Sequence, residues 1–191
     1  MEDMVSMVTM GVSIIMEISK SFLEAIKKHL SGERVDWSYP VEEAEWLQLF
    51  KLAAVHNVVP MVYESVFLCP SYGVYKDKLD RIVKPQVLQT VLNQTIKTSD
   101  FLNLYKCLLD TGAKPLVVKG IICRSIYPMP DHRPSTDEDL YIKKNEFKVC
   151  HEAIISYGMD LCCEGNIEEV HEVSYRNNRI NQYIELHKDL F

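Results

Sequence analysis

The sequence predicts an α+β protein in which a helical N-terminal half packs on a small mixed-sheet α/β core. Two observations support this prediction. Apolar residues recur at helical spacing through most of residues 1–112. After Gly112, short β-branched and apolar runs alternate with a single longer helical segment. We therefore expect a helical region over 1–112 and a sheet-bearing core over 113–191.

The first half is predicted to hold four helical segments, separated by Gly and Pro signals. The predicted segments are Ile14–Leu30, Val41–His56, Met61–Phe67 and Lys76–Thr111. Gly32 ends the first, and Pro60 can open the third because a first-turn residue needs no N–H. Pro85 is expected to kink or interrupt the fourth. Cys69–Gly73 contains Pro, Ser and Gly and is expected to be a loop.

The second half is predicted to be mainly strands. The expected elements are strands at Pro115–Lys119, Asp137–Ile142 and Met159–Glu164, a short helix at Ile121–Tyr127, a helix from an Asn145 cap to Tyr157, and a hairpin of Val170–Arg176 with Ile180–Leu186. Asn177-Asn178 would supply the hairpin turn. The sequence stops at Phe191, just after the last strand, so we expect the core to be truncated at its C-terminal end.

Composition indicates which classes of binding partner and which cellular compartment to expect. The formal net charge of −6 disfavours a broad DNA-binding or RNA-binding surface. The six cysteines form no CxxC pair, and Cys162 and Cys163 are adjacent, which predicts reduced thiols in a cytoplasmic protein. The apolar stretch Met4–Met16 follows two acidic residues and is too short to span a bilayer. It predicts the start of an amphipathic helix, with a secretion signal as the alternative and no membrane partner.

The residues with the clearest chemistry are two aspartates on one predicted strand. Asp137 and Asp139 would project from the same face, with Glu138 on the opposite face. Two carboxylates on one face suit Mg²⁺, which takes oxygen ligands. The preceding Lys119-Gly120 turn, between a strand and a helix, would offer backbone N–H groups to phosphates. Magnesium beside a phosphate-binding turn indicates phosphoryl or nucleotidyl transfer.

The order of these elements resembles that of the polymerase-beta-like nucleotidyltransferases. It is most similar to a bacterial family described as uncharacterised nucleotidyltransferases, from about Asp36 onward. The residues that carry the resemblance are Lys119, Gly120, Tyr127, Pro128, Arg133, Pro134, Asp137, Asp139, Leu140 and the later run Ile184-Glu185-Leu186-His187. Two positions depart from the pattern. Glu138 stands where the motif is usually apolar, and Ile121 follows Gly120 where many members of the wider superfamily have Gly or Ser.

The resemblance implies a metal-dependent nucleotidyltransferase. One or two Mg²⁺ ions would be held by Asp137, Asp139 and Glu185, while Lys119, Gly120 and Arg133 would contact a nucleoside triphosphate such as ATP. Glu185 would bind metal or take a proton from the acceptor. A nucleoside monophosphate would pass to an acceptor hydroxyl with release of pyrophosphate. The acceptor would be a small molecule, an RNA end or a protein hydroxyl. A variant of this hypothesis is the nucleotidyltransferase half of a toxin–antitoxin pair.

Each site residue also has a structural interpretation. Glu185 could be an exposed strand residue, Arg133 a loop-shaping ion-pair partner and Lys119 a strand cap. His187, two residues after Glu185 on the same face, could touch the site or be purely structural. The remaining candidates with mainly structural roles are His56 (packed at a helix end), Tyr127 (a core or loop anchor) and His132 (solvent-facing).

The competing functional class is a catalytically inactive nucleotide-binding or protein-interaction module on the same fold. Glu138 inside the motif and the end of the sequence at Phe191 favour it. Because a buried and unpaired glutamate would be costly, we expect Glu138 to reach a sheet edge or a cationic partner.

Overall fold

A computed structural model describes residues 2–37, 42–162 and 166–189, with side chains from residue 16 onward. The elements are α1 (Glu2–Leu30), α2 (Glu43–Val55), α3 (Val59–Val66), α4 (Pro70–Asp110), β1 (Leu116–Val117), α5 (Ile121–Arg124), β2 (Asp137–Tyr141), α6 (Phe147–Tyr157), β3 (Asp160–Leu161), β4 (Glu172–Asn177) and β5 (Gln182–His187). Short 3₁₀ turns cover Pro130–His132 and Lys144–Glu146. The predicted α+β class with a mixed sheet is confirmed.

The chain forms two compact units. The first contains the residues up to Val91 together with His132–Pro134, and the second contains Leu92–Asp131 and the residues from Ser135 onward. The boundary lies inside α4, whereas the sequence predicts a division after Gly112.

The first unit is a helical assembly built around aromatic side chains. Trp46 is fully buried, and its ring meets the buried Tyr72 edge-on at 5.3 Å between centroids. Tyr72 in turn donates a hydrogen bond to Asp80 at 2.7 Å. α2 begins with a capping box in which Glu42 and Glu45 satisfy each other's backbone N–H groups.

Two predictions concern α4. The predicted loop at Cys69–Gly73 is wrong, because the helix already begins at Pro70, a residue that costs nothing in a first turn. Pro85 does not interrupt the helix, which is continuous to Asp110, and a kink at Pro85 stays a prediction. The buried Val83 and Val87 on either side of Pro85 hold this segment against the core. Packing of the apolar face therefore outweighs the one lost backbone hydrogen bond.

The second unit contains a five-stranded sheet in the order β1-β2-β5-β4-β3. β2 and β5 are parallel, and the other neighbours are antiparallel. One face of the sheet packs on helical side chains of α4 and α6, chiefly Phe101, Leu104, Leu108, Phe147, Cys150 and Ile154. This face fixes the pleat of β2 and β5 and so determines which side chains project from the other face.

Turn details differ from those predicted. Asn145 lies within the turn before α6 and does not cap it, since no side chain caps that helix. The hairpin joins β4 and β5 as predicted, but the positive φ is at Asn181, while the Asn177 side chain accepts a hydrogen bond from the Arg179 N–H. Val41, Cys163 and Glu164 lie outside the described residues. Among the residues described, no helix is long and apolar enough to cross a membrane.

Candidate active site

The parallel pairing of β2 and β5 places acidic residues side by side. Asp139 is opposite Glu185, and Tyr141 is opposite His187. Because alternate residues share a face, Asp139, Glu185 and His187 project from the same side of the sheet. Their nearest ligand atoms all lie within 4.8 Å of one another.

Asp139 is the buried member of this cluster, with only 1% of the residue exposed. Its Oδ1 accepts a hydrogen bond from Lys119 Nζ at 3.1 Å and lies 3.1 Å from His187 Nε2. Its Oδ2 is buried and has no hydrogen-bond partner among the described residues. A buried carboxylate oxygen without a partner is costly, and a bound cation would satisfy it. The donor set therefore fits a divalent metal.

Glu185 and His187 complete the cluster from β5. Burial raises the pKa of Glu185, and the neighbouring carboxylates of Glu172 and Asp139 raise it further. His187 Nε2 lies 3.8 Å from Glu185 Oε2, and its Nδ1 lies 3.5 Å from Glu172 Oε2. The imidazole thus sits among three carboxylates, whose mutual repulsion a cation would relieve.

Asp137 is on the same face but outside the three-residue cluster. It lies opposite Tyr183 in the register, and Thr136 Oγ1 is 3.4 Å from its Oδ1. The structure therefore brings together Asp139 and Glu185 from the predicted metal ligands, with His187 as their neighbour. The signal for His187 was its strand position, two residues after Glu185.

The Gly120 turn is closed by Glu138 from the opposite face of β2. The Ile121 N–H donates to Glu138 Oε2 at 2.6 Å. Gly120 has φ +63°, and a Cβ there would lie 2.0 Å from Glu138 Oε2. One of the backbone N–H groups that the sequence suggested for phosphate, that of Ile121, is therefore satisfied within the protein.

Glu138 also forms a buried ion pair with Arg124. Arg124 Nη1 donates to Glu138 Oε1 at 2.7 Å, and its Nη2 donates to Thr98 Oγ1 at 3.2 Å. Burial raises the pKa of Glu138, while the hydrogen bonds from Arg124 and the Ile121 N–H act in the opposite direction. The expected cationic partner of Glu138 is thus confirmed. Sequence reasoning did not identify Arg124, although an unmatched inward glutamate was the signal.

Comparison with known proteins gives one decisive match. The profile of a family described as uncharacterised nucleotidyltransferase matches residues 42–191. The chain belongs to this family. No curated protein and no solved structure matches it. The family match includes both strands of the acidic cluster and the Gly120 turn.

The remaining predicted residues of this nucleotidyltransferase-family protein have varied surroundings. Lys119 is mostly exposed and reaches Asp139 with its ammonium group. Arg133 belongs to the short segment His132–Pro134 that clusters with the first unit, and its contact with nucleotide stays a prediction. Tyr127 is half-buried.

Two histidines of the first unit make ring contacts. His56 lies 5.4 Å from the Phe22 ring at the end of α2 but is exposed, so the expected packing is limited to this contact. His132 is buried and stacks on His29 with centroids 5.4 Å apart, so the prediction that it faces solvent is wrong. The segment containing Pro130–His132 turns His132 inward, a tertiary effect that local sequence does not show.

Proposed function

We propose that this nucleotidyltransferase-family protein transfers a nucleoside monophosphate from a nucleoside triphosphate to an acceptor hydroxyl. Pyrophosphate leaves, and a divalent cation is required. ATP is the first donor to test. The observation that carries the proposal is the buried Asp139 beside Glu185 and His187, because its Oδ2 has no hydrogen-bond partner within the described part of the chain.

Asp139 and Glu185 would hold the metal, with His187 as a third ligand and Asp137 as a further oxygen ligand. A bound divalent cation would neutralise charge on the phosphates and on the attacking oxygen. Carboxylates suit Mg²⁺, whereas imidazole also accommodates Mn²⁺. Both ions are therefore appropriate probes.

The chain's own residues would orient the reactants and move one proton. Glu185 is more exposed than Asp139, at 26% against 1% of the side chain, so an acceptor can approach it. The acceptor oxygen attacks the α-phosphorus and the bond to pyrophosphate breaks. The hydroxyl proton passes to Glu185, acting as general base.

Lys119, Gly120 and Arg133 are proposed to bind the triphosphate. Lys119 extends into solvent beside Asp139, so its ammonium can turn from that carboxylate to a phosphate oxygen. Gly120 would act by maintaining the turn, because the space beside its Cα is filled by Glu138. Arg133 offers the planar fork that binds phosphate in a bidentate manner.

The test is nucleotide-dependent thermal stability followed by pyrophosphate release. At a hundredfold excess over Kd, a ligand stabilises by about 2.7 kcal/mol, which shifts the midpoint by several degrees. We expect a Mg²⁺-dependent or Mn²⁺-dependent shift with one triphosphate. It should be lost in Asp139→Asn and kept in Asp110→Asn, which changes an exposed helix carboxylate.

Pyrophosphate release separates the enzyme from an inactive module. Release with an acceptor panel, lost in Asp139→Asn, would support the transferase. Metal-dependent nucleotide binding without release across the panel would favour a nucleotide-binding module. Absence of any triphosphate binding would overturn the proposal.

A further inference from the structure

A pocket within the second unit lies at the end of the sheet where β2 and β5 begin. Its volume is about 390 Å³. Its lining comes from one turn of α4 and from the β4–β5 turn: Asn93, Ile96, Lys97, Arg179, Ile180 and Asn181. The charged members of this lining are both cations, which is notable in a chain with net charge −6.

Within the part of the chain that the structure describes, neither Lys97 nor Arg179 forms an ion pair with a carboxylate. Lys97 is half-buried, and its Nζ lies 3.4 Å from the Ser135 carbonyl oxygen. Burial lowers the pKa of Lys97, and the nearby Arg124 lowers it further. A bound anion would offset both effects.

The chemistry of the lining fits a phosphate group. A phosphate monoester is close to a dianion at neutral pH, so it matches one lysine and one arginine. The guanidinium can bind two phosphate oxygens, while lysine acts as a point charge. Asn181 is a side-chain amide beside them, and its Oδ1 accepts a hydrogen bond from Arg176 Nη2 at 2.8 Å.

We propose that this pocket binds the phosphate group of a small phosphorylated molecule. Its volume suits a phosphate with a sugar-sized fragment. The acidic character of the chain does not suit a long nucleic acid.

The pocket does not share a face with the acidic cluster. Its α4 residues belong to the helix that packs on one face of the sheet, whereas Asp139, Glu185 and His187 project from the other face. Lys97 also lies near Arg124, in the helix that follows the Gly120 turn. The pocket is therefore separate from the acidic cluster.

Calorimetric titration of the full chain tests the pocket without metal or nucleotide. The probes are inorganic phosphate and methyl phosphate. We expect both to bind, and Lys97→Met and Arg179→Met each to weaken binding by about tenfold or more, the effect of losing one charge-assisted hydrogen bond. Lys106→Met removes an exposed lysine of the same helix and should bind like the wild type. Unliganded thermal midpoints verify that each variant is folded.

Four results would overturn the proposal. The first two are absence of phosphate binding and binding that is unchanged in Arg179→Met. The third is competition between phosphate and the Mg²⁺–triphosphate complex, which would assign the pocket to the donor. The fourth is much tighter, salt-dependent binding of a 5′-phosphorylated oligonucleotide than of methyl phosphate. Phosphate binding retained in a protein that binds no triphosphate would instead refute the transferase function alone.

Discussion

Arg124 and Glu138 form an ion pair in which both residues are only 1% exposed, with 2.7 Å between Nη1 and Oε1. The pair joins α5 to the back of β2, and the second oxygen of Glu138 accepts the Ile121 N–H. One carboxylate, that of Glu138, therefore links the turn at Gly120 to the strand that carries Asp137 and Asp139. An unusual charge in the motif thus has a structural role.

Removing one member of this pair should be strongly destabilising. Glu138→Ala leaves a buried guanidinium without its partner, at a cost of about 3–5 kcal/mol. The double variant Arg124→Met/Glu138→Leu should recover much of this loss, because apolar replacement removes both buried charges. Hydrogen exchange of the β2 amides would measure the stability of the second unit directly. Equal losses in the single and double variants would contradict the argument.

Gly120 should tolerate a methyl group much less well than Gly112. Both have positive φ, +63° and +86°, so alanine is strained at either position. The backbone of Gly120, with ψ −112°, lies outside the left-handed α region, which adds to the strain there. Only at Gly120 does the added Cβ meet another group, Glu138 Oε2 at 2.0 Å. We expect Gly120→Ala to lose stability well beyond Gly112→Ala in urea unfolding followed by circular dichroism. Similar losses would mean that the turn can move away from Glu138.

Features that depend on local periodicity could be predicted from the sequence. Alternation along β2 separated Asp137 and Asp139 from Glu138, and the order of elements carried the family resemblance that the profile match confirms. The cost of an unpaired buried glutamate also predicted a cation near Glu138. These inferences need only the chain geometry of a strand and the energetics of charge burial.

The missed features depend on contacts between distant segments. Arg124 lies fourteen residues before Glu138, and nothing local in the sequence shows that it is buried. α4 continues through Pro85 because Val83 and Val87 pack on the first unit's core. The joining of His187 to Asp139 depends on the parallel register of β5 with β2, which pairs residues nearly fifty positions apart.

Asp80 should make the first unit less stable to unfolding as the pH falls into the acid range. Burial alone would raise the pKa of Asp80, but hydrogen bonds from Tyr72, Lys76 and Lys84 lower it to about 2. A carboxylate with a lowered folded-state pKa stabilises above its unfolded value of about 3.8, and this stabilisation disappears as pH falls towards 2. The contribution at neutral pH is about 2 kcal/mol.

The comparison of Asp80→Asn with wild type measures this effect. Fluorescence of Trp46 and Trp37, which belong to the first unit's core, follows urea unfolding of that unit. The wild type should be more stable by about 2 kcal/mol at pH 7, and the difference should shrink below about pH 4. Asp77→Asn, a change at an exposed position of the same helix, should show no such trend. A difference independent of pH would exclude the ionised carboxylate as its origin.

Replacement of Lys119 should change the affinities for metal and for nucleotide in opposite directions. Its Nζ lies 3.1 Å from Asp139 Oδ1, where the ammonium competes with a bound metal cation. The lysine side chain is nevertheless exposed enough to turn to a phosphate. Lys119→Met should therefore bind Mn²⁺ more tightly without nucleotide, by up to about fivefold, the scale of an ion pair whose lysine is exposed to solvent. The same variant should bind the Mg²⁺–triphosphate complex about tenfold more weakly, because a charge-assisted phosphate contact is lost.

Paired titrations of Mn²⁺ alone and of triphosphate with Mg²⁺ would measure the two effects in one preparation. Lys114→Met, at an exposed position five residues earlier, removes the same charge without touching Asp139 and should leave both affinities unchanged. Tighter metal binding with unchanged triphosphate affinity would limit Lys119 to screening Asp139. Weaker binding of both ligands would mean that the lysine positions Asp139, so the opposite signs are what identify a cation that moves from carboxylate to phosphate.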